Sequence, residues 1–265
     1  MMPDYNEIPM DVDERLDTIP GTDFALIQKI DGTAFSIDSI MLADFVQFNP
    51  DIDFVADLGS GSGILAFLLK YRARHIHVTG FEVQPEMHAL SLRNIQMNPQ
   101  FSGIAFDKLD IRNIPSKILP ETFDLVVSNP PYFKSGSGKL SPKSHRAAAR
   151  HELHGTLENF VEAANYMLGY GGKFCVVIPV TRFVEILEFF KKFNFGLKRM
   201  RYLLPKEEEK AHLVLLEAER FYNGKHYREP DLPIHMKDSS FSPYLQNLFE
   251  NGFRKYPFSE SMTRK

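Results

Sequence analysis

Residues 55–63 read VADLGSGSG: an apolar run suited to a strand, an acid near its end, then glycines at 59, 61 and 63. Glycines in such a turn allow a tight bend and close backbone approach. The helix that opens after them directs free N–H groups at whatever lies above. The same turn can also serve plain strand-to-helix packing, so its meaning depends on the residues around it. Its spacing is G-x-G-x-G, not the dinucleotide pattern G-x-G-x-x-G, and no G-x-x-x-x-G-K-[ST] follows.

Outward from that turn, apolar runs alternate with helix-length amphipathic stretches. The runs DFVADL, IHVTGFE, IAFDKLD, FDLVVSN and KFCVVIP read as strands, and residues 62–73, 85–97, 156–168 and 181–193 read as helices. Continuous apolar strands separated by helices indicate a parallel sheet covered on both faces. Two later runs, LKRMRYLLP and AHLVLLEAE, are joined only by the charged segment KEEEK, which is too short for a crossover helix and makes the pair antiparallel. The expected fold is therefore α/β: a Rossmann-like, doubly wound sheet of seven strands, mostly parallel, with an antiparallel hairpin strand towards the C-terminus. Residues 1–50 read as an N-terminal extension with a short helix in FSIDSIMLADFVQF, 51–222 as the core, and 223–265 as a strand and helix extension of the same domain. The first 20 residues, polar and acidic, are expected to be loosely ordered.

The chain has 265 residues, enough for a large core, and its 43% hydrophobic content is that of an ordinary globular protein. A net charge of −3 gives no global basic signature, which leaves nucleic-acid binding to a local patch. The single cysteine, Cys175, sits in a strand-like run and cannot form an internal disulfide. No apolar run has the length of a membrane span, and MMPDYNEIPMDVDERLD lacks the regions of a signal peptide, so a cytoplasmic protein is expected.

Acids end three successive strands: Asp57 before the glycines, Glu82 about 20 residues on, and Asp110 in KLDI. In a doubly wound fold these line one crevice at the carboxyl edge of the sheet. Each alone reads equally as a solvated strand end; together they suit S-adenosyl-L-methionine, with its cationic end near Asp57, ribose at Glu82 and adenine at Asp110. The turn residues Gly59, Ser60, Gly61 and Gly63, and Val83 and Ile111 beside the acids, complete this expected cofactor set.

The fourth strand delivers Asn129-Pro130-Pro131-Tyr132 to the same crevice. Here the sequence resembles amino-methyltransferases that carry an (N/D/S)-P-P-(Y/F/W) motif. That resemblance implies an amine clamp, catalytic through Asn129, Pro130, Pro131 and Tyr132. The Asn129 side-chain oxygen and the Pro130 carbonyl each accept one N–H of a planar amine, while the proline rings hold the backbone in place. Tyr132 and Phe133 offer a stacking face, and Asn129 also borders the cofactor. Further segments, DGTAFSIDSIMLADF, LGSGSGILAFLL, SNPPYF and ARHELHGTLENF, resemble in order the bacterial tRNA adenine-N6-methyltransferases that act beside the valine tRNA anticodon. The similarity runs from about Phe24 to Glu219, and HMKDSSFSPYLQNLF resembles their C-terminal end. It implies that Phe35, Ser36 and Asp38 approach the methionine end of the cofactor, although Ser36 is also a good helix N-cap.

The clamp alone does not choose a substrate, since rRNA guanine-N2 and protein-glutamine methyltransferases share it. A glutamine methyltransferase usually carries an added N-terminal helical domain, for which the residues ahead of the core leave no room. A non-catalytic cofactor-binding subunit is the third reading, and an intact Asn129 argues against it. Between Phe133 and His151 the chain has no acid but contains Lys134, Lys139, Lys143, Arg146 and Arg150. Such a segment, starting at the clamp, suits phosphate contacts around an extruded base, so Lys139, Lys143, Arg146 and Arg150 are read as tRNA-binding. A solvated basic loop is the plainer reading. HELHG at 151–155 does not have the H-E-x-x-H spacing, and no metal is expected.

Overall fold

The computed structural model describes residues 9–30, 37–131 and 155–253. A hairpin of β1 (Glu14–Thr18) and β2 (Ala25–Lys29) comes first, then helix α1 (Ile37–Phe45). The core runs β3 (Phe54–Leu58), α2 (Ile64–Arg72), β4 (His77–Glu82), α3 (Pro85–Met97), β5 (Ile104–Lys108), β6 (Phe123–Ser128), α4 (Leu157–Met167) and β7 (Leu168–Pro179). It continues through α5 (Phe183–Lys192), β8 (Phe195–Lys206) and β9 (Leu213–Arg220). Two short strands, β10 (Tyr227–Arg228) and β11 (Leu232–His235), and helix α6 (Pro243–Asn251) end the described chain.

The large sheet has the order β10-β8-β9-β7-β6-β3-β4-β5, with β11 also on β8. Strands β3 to β7 are parallel, and β9 lies antiparallel between β7 and β8. The seven expected strands are thus present with the expected sense. The sheet reaches nine because β10 and β11, of two and four residues, pair in parallel with the outer edge of β8.

Alternation along the strands builds one core on each face, because successive side chains point to opposite sides of a sheet. Val55, Leu125, Val127, Cys175 and Val177 pack with α1, α2 and α6, whereas Ala56, Val126, Phe174 and Val176 pack with α4 and α5. With both faces covered, these strands have no polar side to show, hence their unbroken apolar reading. Cys175 is buried in the first of these cores, and burial pushes its thiol well above the ordinary range.

One expectation is corrected. Residues 14–18 lie inside the stretch expected to be loose, yet they form a strand. Ion pairs hold this hairpin: Lys29 to Asp13 at 3.0 Å, and Arg93 of α3 to the buried Glu14 at 2.8 Å. Polar composition hid a strand whose anchors are charges rather than an apolar stripe.

Candidate active site

Strand order reverses between β3 and β6, and at such a switch point the carboxyl ends of the strands splay to open a crevice. Register decides which residues meet there. Leu58 of β3 pairs with Phe81 of β4 on one side and Ser128 of β6 on the other. The next residues, Gly59, Glu82 (the last of β4) and Asn129, therefore lie in a row at the carboxyl edge of the sheet. Ser128 tightens this junction by donating from Oγ to the Leu58 carbonyl at 2.8 Å.

The turn after β3 is built from backbone. Gly59 N–H and Ser60 N–H both donate to the Phe81 carbonyl, at 2.9 and 3.2 Å. Gly63, the N-cap of α2, has φ +92°, and a Cβ there would lie 2.4 Å from Cζ of Phe106. Glycine is required at 63 for both reasons. Glu82, buried, fastens the turn from β4: its Oε2 accepts from Gly61 N–H at 2.9 Å and its Oε1 from Gln84 N–H at 2.8 Å.

Asp57 is 1% exposed, so it is not a solvated strand end. It accepts from the Ala66 N–H in the first turn of α2, while its Oδ2 is buried with no hydrogen-bond partner among the described residues. Desolvation, and then the charge of nearby Glu82, push its carboxyl up to about 8. The hydroxyl of Ser60 is likewise buried without a partner among the described residues. Unsatisfied buried oxygens are costly, and two of them beside one glycine turn fit a polar, cationic ligand.

Of the other expected cofactor residues, Val83 and Asp38 are half-buried and Ile111 is packed in the core near Gly155. Asp110 caps the short 3-10 helix Ile111–Ser116, accepting from Arg112 N–H at 2.9 Å, and pairs with the Arg112 guanidinium at 2.5 Å. That arrangement gives Asp110 a structural task beside the adenine role read from sequence. Phe35, Ser36, Tyr132, Phe133, Lys139, Lys143, Arg146 and Arg150 lie outside the described residues.

The clamp segment follows β6 directly, with Pro130 buried and Asn129 and Pro131 half-buried. The Asn129 Nδ2 donates to Ser39 Oγ of α1 at 3.0 Å. Sequence reading missed Ser39, and it also missed a polar buttress behind the glycine turn. There Asn94 of α3 joins the hairpin to the turn, bonding Ile27 N–H at 2.7 Å and the Ser62 carbonyl at 3.0 Å. Gln28 meets Ser62 Oγ at 3.0 Å, and Asn98 donates to the Ala25 carbonyl at 2.9 Å. One signal was available: Leu90, Asn94 and Asn98 recur every four residues, so one amide lies on the buried face of α3 and a second, also buried, at its C-cap.

A doubly wound sheet with this strand order, a glycine turn after its first parallel strand and an N-P-P segment after the fourth defines a class I methyltransferase. The model of the methyltransferase small domain family matches residues 35–203, and the chain belongs to that family. It is 24% identical over 81% of its length to the tRNA1(Val) (adenine(37)-N6)-methyltransferase of Aliivibrio salmonicida, covering 88% of that protein. Its identity to the protein of the same name from Pectobacterium carotovorum is 27%, over 80% of this chain and 83% of that one. The crystal structure of a predicted O-methyltransferase from Agrobacterium tumefaciens has the same fold, with a TM-score of 0.66 at 21% identity, over 83% of this chain and 98% of the other.

Proposed function

We propose that the chain is an S-adenosyl-L-methionine-dependent methyltransferase acting on the exocyclic N6 amine of an adenosine in tRNA, beside the anticodon of valine tRNA. The observation that supports this reading is the register that sets Asn129, Gly59 and Glu82 in a row on β6, β3 and β4, so that the N-P-P segment and the glycine turn meet at one sheet edge. The names of the relatives supply the substrate.

When bound, S-adenosyl-L-methionine supplies an electrophilic methyl group on a sulfonium. Asp57 Oδ2 and Ser60 Oγ would hold its cationic end, Gly59 and Gly61 would let it approach the backbone, and Glu82 would accept from the ribose hydroxyls. Glu82 is suited to this because each of its oxygens already accepts one N–H, which fixes the carboxylate in place. Asp38, Val83, Asp110 and Ile111 would border the same ligand.

The target nitrogen of adenine is a weak nucleophile, since its lone pair is delocalised into the ring. Asn129 Oδ1 and the Pro130 carbonyl would each accept one of its hydrogens and draw it towards tetrahedral geometry. This is positioning rather than proton abstraction, and it depends on acceptors held still before the amine arrives. Pro130 and Pro131 lock their own φ angles and so keep the carbonyl aimed. Tyr132 and Phe133 would stack on the base, and Lys139, Lys143, Arg146 and Arg150 would meet phosphates.

Among the described residues, no helix is long and apolar enough to cross a membrane. With tRNA as substrate, the enzyme would work in the cytoplasm.

The test is nucleoside mass spectrometry of valine tRNA from a deletion strain, with purified protein then added to that tRNA. Loss of N6-methyladenosine in the strain and its return on incubation with the protein and S-adenosyl-L-methionine is expected. An unchanged nucleoside profile, with methylation of a protein glutamine or of guanine instead, would refute the tRNA adenine assignment.

A further inference from the structure

We infer that Ser39 is a positioning residue for the clamp, aiming the Asn129 carboxamide by accepting its Nδ2–H; the inference rests on the clamp reading above. A carboxamide has a donor end and an acceptor end of nearly equal size, and packing alone hardly distinguishes them. If the amide turned over, it would present N–H groups to the N–H groups of the substrate amine and could not clamp it. Something must hold the donor end away from the crevice. The Ser39 hydroxyl does so, at 3.0 Å from Asn129 Nδ2 and across 90 residues of chain.

Ser39 suits this task because it cannot drift. It is 5% exposed and lies in the first turn of α1, followed by the fully packed Ile40, Met41 and Leu42. The far end of α1 is tied down by two buried arginines. Arg72 donates to the carbonyls of Ala43 and Val46. Arg199 of β8 donates to the Phe45 carbonyl at 2.6 Å, and its guanidinium lies 3.8 Å from the centre of the Phe45 ring. Arg199 is itself fixed by Glu217 and Glu229, each at 2.6 Å. Cationic donors at helix carbonyls also complement the negative end of the helix dipole. The amide's aim therefore passes from the sheet edge through a pinned helix to one hydroxyl.

Steady-state kinetics on the full chain, with S-adenosyl-L-methionine and unmodified valine tRNA, tests this with Ser39→Ala, Ser39→Thr, Asn129→Ala and the Ser39→Ala/Asn129→Ala double variant. Ser39→Ala should lower kcat about 10-fold while the Kd for S-adenosyl-L-methionine stays at the wild-type value. Ser39→Thr keeps the hydroxyl and should recover most of kcat. Asn129→Ala should lose about 100-fold, and the double variant should lose no more, because Ser39 acts only through Asn129. If Ser39→Ala fails to fold, Ser39→Cys takes its place, since a thiol of similar size accepts hydrogen bonds weakly and should show the same selective loss in kcat. Wild-type kcat in the Ser39 variant overturns the inference, as does an equal further loss in the Asn129→Ala background. Wild-type turnover in Asn129→Ala is a different result: it overturns the clamp reading itself, and the inference with it.

Discussion

Asp57 should make cofactor binding release a proton, and the size of that release follows from its surroundings. Its carboxyl is buried at the end of β3, faces the charge of Glu82 from β4, has one N–H donor at Ala66 in α2, and titrates near 8 instead of 3.8. At pH 7 roughly nine in ten unliganded molecules hold that proton. A cationic ligand against Oδ2 favours the ionised form, so binding at pH 7 should release about 0.9 proton, and affinity should rise with pH up to about 8. Asp57→Asn removes this titration and should bind S-adenosyl-L-methionine more weakly, with only the pH dependence of the ligand's own α-amino group remaining. Calorimetry in two buffers of different ionisation enthalpy reads the proton count directly.

The same carboxyl has a signature in stability. Its folded-state pKa is raised, so between about pH 4 and 8 the folded protein binds a proton that the unfolded chain has lost. Its stabilising contribution is complete below the unfolded pKa and declines as pH rises through the folded one, by ~1.4 kcal/mol per pH unit. Glu14, held below the usual carboxylate range by the Asp11 N–H, Arg93 and Lys29 against its desolvation, acts in the opposite direction, losing its contribution as pH falls. The useful quantity is therefore the difference between wild type and Asp57→Asn, which should change by about 3–4 kcal/mol from pH 5 to pH 8 in urea titrations. No proton release on binding, together with parallel pH profiles for the two proteins, would refute the assignment of Asp57 as the cation's partner.

Three further outcomes are expected. Gly63→Ala should destabilise the fold by about 2–4 kcal/mol in urea unfolding, since it joins a positive φ to a clash with the Phe106 ring. Phe106→Leu in that background should return only part, because the backbone strain remains. Arg199→Met leaves Glu217 buried without its ion-pair partner, while Glu229 keeps Arg201, and should cost about 3–5 kcal/mol by thermal unfolding, with partial recovery on adding Glu217→Gln. Replacing Lys139, Lys143, Arg146 and Arg150 with Ala should flatten the salt dependence of tRNA binding by roughly 0.7–0.9 in log–log slope for each phosphate that is no longer neutralised. Cofactor affinity should be unchanged, and a wild-type slope would remove these residues from the RNA interface.

Legibility divided along physical lines. The parallel core could be read because its central strands β3, β6 and β7 are largely buried on both faces and so write themselves as apolar runs, while β5 at the edge shows an exposed side. Its connection lengths then fixed the sense of β8 and β9. The glycine turn and the N-P-P segment stood out because special backbone angles admit few residues. The edges could not be read this way. Strand β1 is ERLDT, with no apolar alternation, and β11 contains Pro233, a residue tolerated in a sheet only where a donor is dispensable.

The unread part of the site has a common cause. Ser39, Gln28, Asn94 and Arg199 each make a polar contact with a partner from 34 to 154 residues away. Apart from the four-residue recurrence of Leu90, Asn94 and Asn98, such contacts leave no periodicity, and serine or asparagine inside a helix reads as surface until its partner is known. Their effect is nonetheless specific, because a buried hydrogen bond costs little to keep and much to break. Apolar packing sets the sheet edge to within the tolerance of the fold. A carboxamide that must distinguish its own oxygen from its nitrogen needs the finer discrimination that only a fixed polar partner supplies. On that argument the proposed clamp would draw its precision from outside the motif that names it, from a helix held at one end by arginines and presenting a hydroxyl at the other.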